Sequence, residues 1–152
     1  MALHSKTILN IKTKTDILKI RKGENVEKLI EDKSNQKLMA ESQQEVLNLL
    51  IHLGDLSHNS KSSDISYKWT LLLYEEFFNQ GDKERVLGKP ISFLCDRYTT
   101  NICKSQVGFL KFIIQPSYEV LINIIPEAES YFFDNIRQNI IFWELKGEEQ
   151  EK

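Results

Sequence analysis

Ser63-Asp-Ile-Ser-Tyr-Lys-Trp-Thr-Leu-Leu-Leu-Tyr-Glu-Glu-Phe77 carries apolar side chains at Ile65, Trp69, Leu72, Leu73 and Phe77. Steps of three, four and eight residues put them on one side of an α-helix. That stripe is expected to face a core. Ser63 or Asp64 can accept from the first free N–H groups, and Gly81 is expected to end the helix. The same period recurs on both sides. Leu38, Val46, Leu49, Leu50 and Leu53 predict a helix over about 36–53, capped by Ser34 or Asn35. Ile102, Val107, Leu110 and Ile113 predict another, capped by Asp96 and stopped near Pro116. A short helix follows over Ser117 to Ile125. Pro126 then opens the last one, with the stripe Phe132, Phe133, Ile136, Ile140 and Trp143. The polar run 56–63 and the stretch Gly81 to Leu94 read as loops, and Gly147 to Lys152 as a charged, frayed tail. The fold class is all-α.

Composition agrees. The chain has 152 residues, 41% hydrophobic and 28% charged, with only 6 Gly and 3 Pro, which suits one helical domain better than a turn-rich β fold. The 20 Lys and Arg against 22 Asp and Glu leave a net charge of -2, so DNA, RNA and anionic membranes are not expected partners. The basic residues between Lys6 and Lys22 lack interleaved aromatics and read as a solvated helix end and loop. The N-terminus has no apolar signal region and no run is long enough to span a bilayer. A cytoplasmic protein with reduced Cys95 and Cys103 is the expectation.

The chemistry centres on His52-Leu-Gly-Asp-Leu-Ser-His58. If the helix runs through residue 55, His52 and Asp55 share a face at i, i+3. A carboxylate and an imidazole so placed can ligate a metal, form an acid–base pair or simply hydrogen-bond at a helix end. Gly54 would leave room for a close approach there. With three histidines in all, the chain cannot complete a histidine-rich metal site alone. Phosphate loops, serine elbows and HExxH are absent.

These residues belong to an ordered series. His52 to His58 is followed by Trp69-Thr70, Glu75-Glu-Phe-Phe78, Gln80-Gly-Asp-Lys-Glu84, Pro90-Ile-Ser92, Leu94-Cys-Asp-Arg97 and Ser105-Gln-Val-Gly-Phe109. In order and spacing the series resembles class I cyclic nucleotide phosphodiesterases, strongly over residues 50–118 and more weakly to Asn139 and Trp143. In motif detail it is nearest to the calmodulin-stimulated, dual-specificity branch. The resemblance implies the C-terminal part of a multi-helix phosphodiesterase catalytic domain of the HD type, over residues 1–146, ahead of the 147–152 tail. It implies hydrolysis of cAMP or cGMP with two divalent metals, zinc and magnesium or manganese. Asp55 then corresponds to a metal ligand and His52 to a residue that orients its neighbours. Gln106 corresponds to the glutamine that hydrogen-bonds the purine, and Phe109 to the ring that stacks on it. Leu73 corresponds to the opposite jaw, with Phe77 and Leu94 as pocket walls. His58 stands where strongly cAMP-preferring members have Asn, so it too belongs to the substrate site.

The departures matter equally. The family's HNxxH block, with its general-acid histidine, and its HD pair are absent, so no catalytic acid lies in this chain. The opening Met1-Ala-Leu-His4 resembles the interior of the family's TDMxxH stretch. The resemblance therefore implies that the metal-binding half is missing and that the chain is inactive alone. The alternative reading is a non-catalytic cyclic-nucleotide-binding or regulatory fragment.

Overall fold

The computed structural model describes residues 33–150, with side chains from residue 43 onward. The expectations for the basic N-terminal segment fall outside these residues. Among the described residues all regular structure is helical. The order is α1 (Lys33–Asp55), a 3₁₀ turn (Ser57–Ser60), α2 (Ser63–Val86), α3 (Ile102–Phe109), a π-helical turn (Leu110–Ile114), α4 (Gln115–Ile124), a second 3₁₀ turn (Pro126–Ala128) and α5 (Glu129–Gln150). No described helix is long and apolar enough to cross a membrane.

α5 lies at the centre and packs against α3, α4, α2 and the first 3₁₀ turn. Its predicted stripe is the one inside: Phe133, Ile136, Ile140 and Trp143 are buried. They join Leu49 and Leu53 of α1, Leu110 and Ile114 of the π turn and Tyr118, Val120 and Leu121 of α4 in one apolar core. Burial of so many large side chains is the main force that holds these helices together. Tyr67 of α2 closes the core edge, its ring 5.5 Å from both Phe142 and Trp143.

α2 departs most from expectation. Its buried residues are Ser66, Thr70, Tyr74 and Gly81. The apolar stripe is largely on the other side: Ile65 is 42% exposed, and Trp69 and Leu72 are 58% exposed. Leu73 and Phe77 are half-buried. Nor does Gly81 end the helix, which runs on to Val86 from its N-cap Ser62. Gly81 is instead the point of closest approach to the following loop. A Cβ there would stand 1.9 Å from the Cys95 carbonyl oxygen. Gly54 has no such role, since a Cβ there would meet nothing within 4 Å.

That loop is strapped back onto α2. Arg85 Nη2 donates to Asp96 Oδ1 at 2.8 Å, Arg97 Nε to Asp82 Oδ1 at 3.1 Å, and Ser92 N to Glu84 Oε2 at 2.7 Å. The Tyr98 amide also donates to Asp96, and with the Arg85 contact this holds the Asp96 carboxyl below its usual pKa. Asp96 is thus spent on the loop, and the N-cap of α3 is Asn101, whose side chain accepts from the Lys104 amide at 2.9 Å.

Pro116 does not stop the helix. Pro lacks an N–H and its ring crowds the carbonyl four residues earlier. Here the chain widens into the π turn before it, where Gln115 N bonds Leu110 O, and Pro116 takes the first turn of α4. The expected frayed tail is helical as far as Gln150, with Gly147 set against Cys103.

Candidate functional site

The sequence motif His52 to His58 straddles the end of α1. Asp55 is the last residue of that helix and His52 lies one turn earlier on the same face. Both are exposed. The backbone then tightens into the 3₁₀ turn, through Leu56 N to His52 O and Asn59 N to Leu56 O. His58 sits half-buried in this turn, and desolvation pushes its imidazole pKa below 6.5. This polar segment is not a solvated loop, since Asn59 is 0% and Ser60 2% exposed.

Because burial depresses the His58 pKa, the unfolded chain binds the proton more readily than the folded one. The contribution of a neutral His58 is present above pH 6.5 and fades as pH falls through the lower, folded value. A denaturant midpoint measured from about pH 7.5 down to about 5.5 should therefore fall. His58→Gln should flatten that slope.

Gln106 and Phe109 come from α3. Gln106 is 4% exposed, and its Oε1 has no hydrogen-bond partner among the described residues. A buried, unpaired carbonyl oxygen costs about 1–3 kcal/mol and is expected to find a donor. Phe109 ends α3 and packs partly buried on the apolar core. α2 reaches Gln106 through Tyr74, a residue that no sequence motif marks. Its hydroxyl is raised in pKa by burial, against hydrogen bonds from the Ser105 and Gln106 side chains. Leu73 and Phe77 flank it, and the Tyr74 and Phe77 rings stand 5.7 Å apart. Leu94, half-buried in the strapped loop, has φ 66°, a left-handed conformation that a branched side chain seldom takes.

The metal requirement can be set against these residues. Among those described, no group of three or more His, Cys, Asp or Glu side chains could hold an ion. Asp55 offers a single carboxylate. The described residues by themselves do not fit a two-metal centre.

Comparison with known proteins bears on the same segments. The profile of the 3'5'-cyclic nucleotide phosphodiesterase family matches residues 1–136. The human "Dual specificity calcium/calmodulin-dependent 3',5'-cyclic nucleotide phosphodiesterase 1C" is 45% identical over 92 residues, 60% of this chain and 13% of its own length. The "Probable 3',5'-cyclic-AMP phosphodiesterase pde-4" of Caenorhabditis elegans is 36% identical over 140 residues, 91% of this chain and 19% of its own. The fold is similar to part of the phosphodiesterase domain of the RhoPDE fusion protein from Salpingoeca rosetta, with a TM-score of 0.74 at 22% identity, over 99% of this chain and 44% of that one. This chain therefore spans less than a fifth of each of these two sequence relatives and under half of the solved domain. With the ordered motifs, the helical fold and the profile match in agreement, the chain belongs to the 3',5'-cyclic nucleotide phosphodiesterase family.

Proposed function

We propose that residues 33–150 form the purine-binding part of a metal-dependent catalytic domain that hydrolyses cAMP or cGMP to the 5'-monophosphate. The observation that carries this reading is Gln106: a buried carboxamide oxygen without a partner among the described residues, on the helix whose end carries Phe109. An amide offers one donor end and one acceptor end, which suits the edge of either purine. Phe109 would supply the stacking face, Leu73 the opposite jaw, and Phe77 and Leu94 the walls. His58 would stand near the base. Asp55 would give one carboxylate to the metal pair, zinc with magnesium or manganese, and His52 would orient the residues around it. Asp55 would hold such metals in part, and the chemistry they would supply is Lewis-acid polarisation of the phosphate and activation of a water. The remaining ligands and the leaving-group acid would come from outside the described residues.

A chimera tests this. Residues 33–150 replace the corresponding segment of the C. elegans relative, and hydrolysis of both cyclic nucleotides is followed. Gln106→Ala should raise KM about tenfold and leave kcat within about threefold, because the base is remote from phosphorus. Collapse of kcat at unchanged KM would remove Gln106 from the base site.

A second reading, binding without hydrolysis, is favoured by the lone carboxylate of Asp55. Calorimetry of the 152-residue chain with cAMP and cGMP, with and without zinc, decides it: micromolar binding would support it, and no heat would oppose it.

A further inference from the structure

The turn that follows Asp55 is gripped from its far side. Asn139 of α5 is 0% exposed, and its Nδ2 donates to the main-chain carbonyls of Asn59 and Lys61, at 2.9 Å each. Asn135, one helical turn earlier, donates to the carbonyl of Ser60 at 3.0 Å. Three successive carbonyls, 59, 60 and 61, thus accept from one face of α5. From α4, the Tyr118 hydroxyl donates to Ser60 Oγ at 3.0 Å, and Ser60 donates on to the Ser57 carbonyl at 2.9 Å. The turn closes on itself where Asn59 Nδ2 donates to the Leu56 carbonyl. Carbonyls at the end of a helical turn have no partner within the turn, so a buried turn must find donors elsewhere.

The contacts fall on the backbone directly after His58, in the turn that follows Asp55, and not on those two side chains. One turn beyond Asn139, Trp143 is 2% exposed and locked between Tyr67 and Phe142. The donor side of the grip therefore stands on one of the most firmly packed parts of the core. A carboxylate meant for a metal and an imidazole meant for a base edge both need placement to about 0.5 Å, which the exposed end of α1 cannot supply by itself.

We propose that Asn139, backed by Asn135 and Tyr118, is the positioning residue of the site: it fixes the turn that follows Asp55 and carries His58, so that the last helix sets where both side chains stand. Its consequence for substrate rests on the function proposed above; the grip itself does not.

Amide hydrogen exchange on the full 152-residue chain tests the grip directly. In Asn139→Ala, the hydrogen-bonded amides of Leu56, Asn59 and Lys61 should exchange at least about tenfold faster, while those of Val107 to Leu110 keep their rates. Asn135→Ala and Tyr118→Phe should give the same pattern at smaller amplitude, and they carry the test if Asn139→Ala does not fold. Unchanged exchange in the turn, or equal acceleration along the whole chain, would overturn the positioning role. In the chimera, Asn135→Ala should also raise KM severalfold. An unchanged KM in an active chimera, with the turn loosened, would overturn the link to the site. An inactive unmodified chimera would count against the proposed function, and the exchange pattern then decides the grip alone.

Discussion

Gly81→Ala is expected to lower the thermal midpoint of the chain by about 6–12 °C, the shift that ~3 kcal/mol produces in a domain of this size. A helical Gly to Ala change ordinarily stabilises by roughly 0.5–1 kcal/mol, because alanine has less backbone freedom to lose. Here the added Cβ would stand 1.9 Å from the Cys95 carbonyl oxygen and 2.7 Å from its carbon. Those are backbone atoms in a loop held to α2 by the Arg85–Asp96 and Arg97–Asp82 ion pairs, so they cannot swing aside as a flexible side chain would. Either the loop lifts and its straps break, or α2 bends. Gly54→Ala is the control. Its Cβ meets nothing within 4 Å, so the propensity gain should survive and the midpoint should stay or rise slightly. Calorimetric scans of both variants read the difference. A Gly81→Ala midpoint equal to that of the parent would mean that the close approach of Cys95 is not real in solution.

Asp55→Ala should reduce turnover of the chimera by more than about a hundredfold, at any cyclic nucleotide concentration. Residues that merely support a metal ligand already account for 10–100-fold in affinity or activity, and a direct ligand must exceed them. The change should leave folding almost untouched, because Asp55 is exposed at the end of α1 and is not among the residues of the apolar core. Loss of activity with a native circular dichroism spectrum and thermal midpoint is therefore the expected pair of results. Turnover within a few fold of the parent would strip Asp55 of the role proposed for it.

Much of this architecture is legible in the sequence where the apolar period and the core coincide. On α5 they do, and the stripe from Phe133 to Trp143 is buried as its spacing predicts. On α2 they do not. Periodicity finds the apolar side of a helix but not its neighbours, and α2 meets this chain with Ser66, Thr70 and Gly81 while Trp69 and Leu72 face outward. Small residues let helix and loop approach closely, a role invisible in hydropathy. Caps and stops fail for a related reason. Asp96 is a good N-cap type, but its carboxylate is taken by Arg85 and the Tyr98 amide. Pro116 is a strong stop signal, yet one π turn absorbs it.

The candidate site divides in the same way. His52 and Asp55 stand out through their i, i+3 spacing, and Gln106 and Phe109 only through the family resemblance of the block Ser105 to Phe109. Asn139, Asn135 and Tyr118 touch the site only through backbone carbonyls 75 to 80 residues distant in sequence or through the Ser60 hydroxyl. No spacing rule reaches so far. Tyr74 was hidden by its place between two residues of an apolar stripe.

The most direct measurement of the central claim is turnover of cAMP and cGMP by the chimera that carries residues 33–150. A folded chimera that hydrolyses either nucleotide in a metal-dependent way, well above the rate of its Asp55→Ala form, is the predicted result. A chimera that folds with the parent's helical spectrum and hydrolyses neither would contradict it.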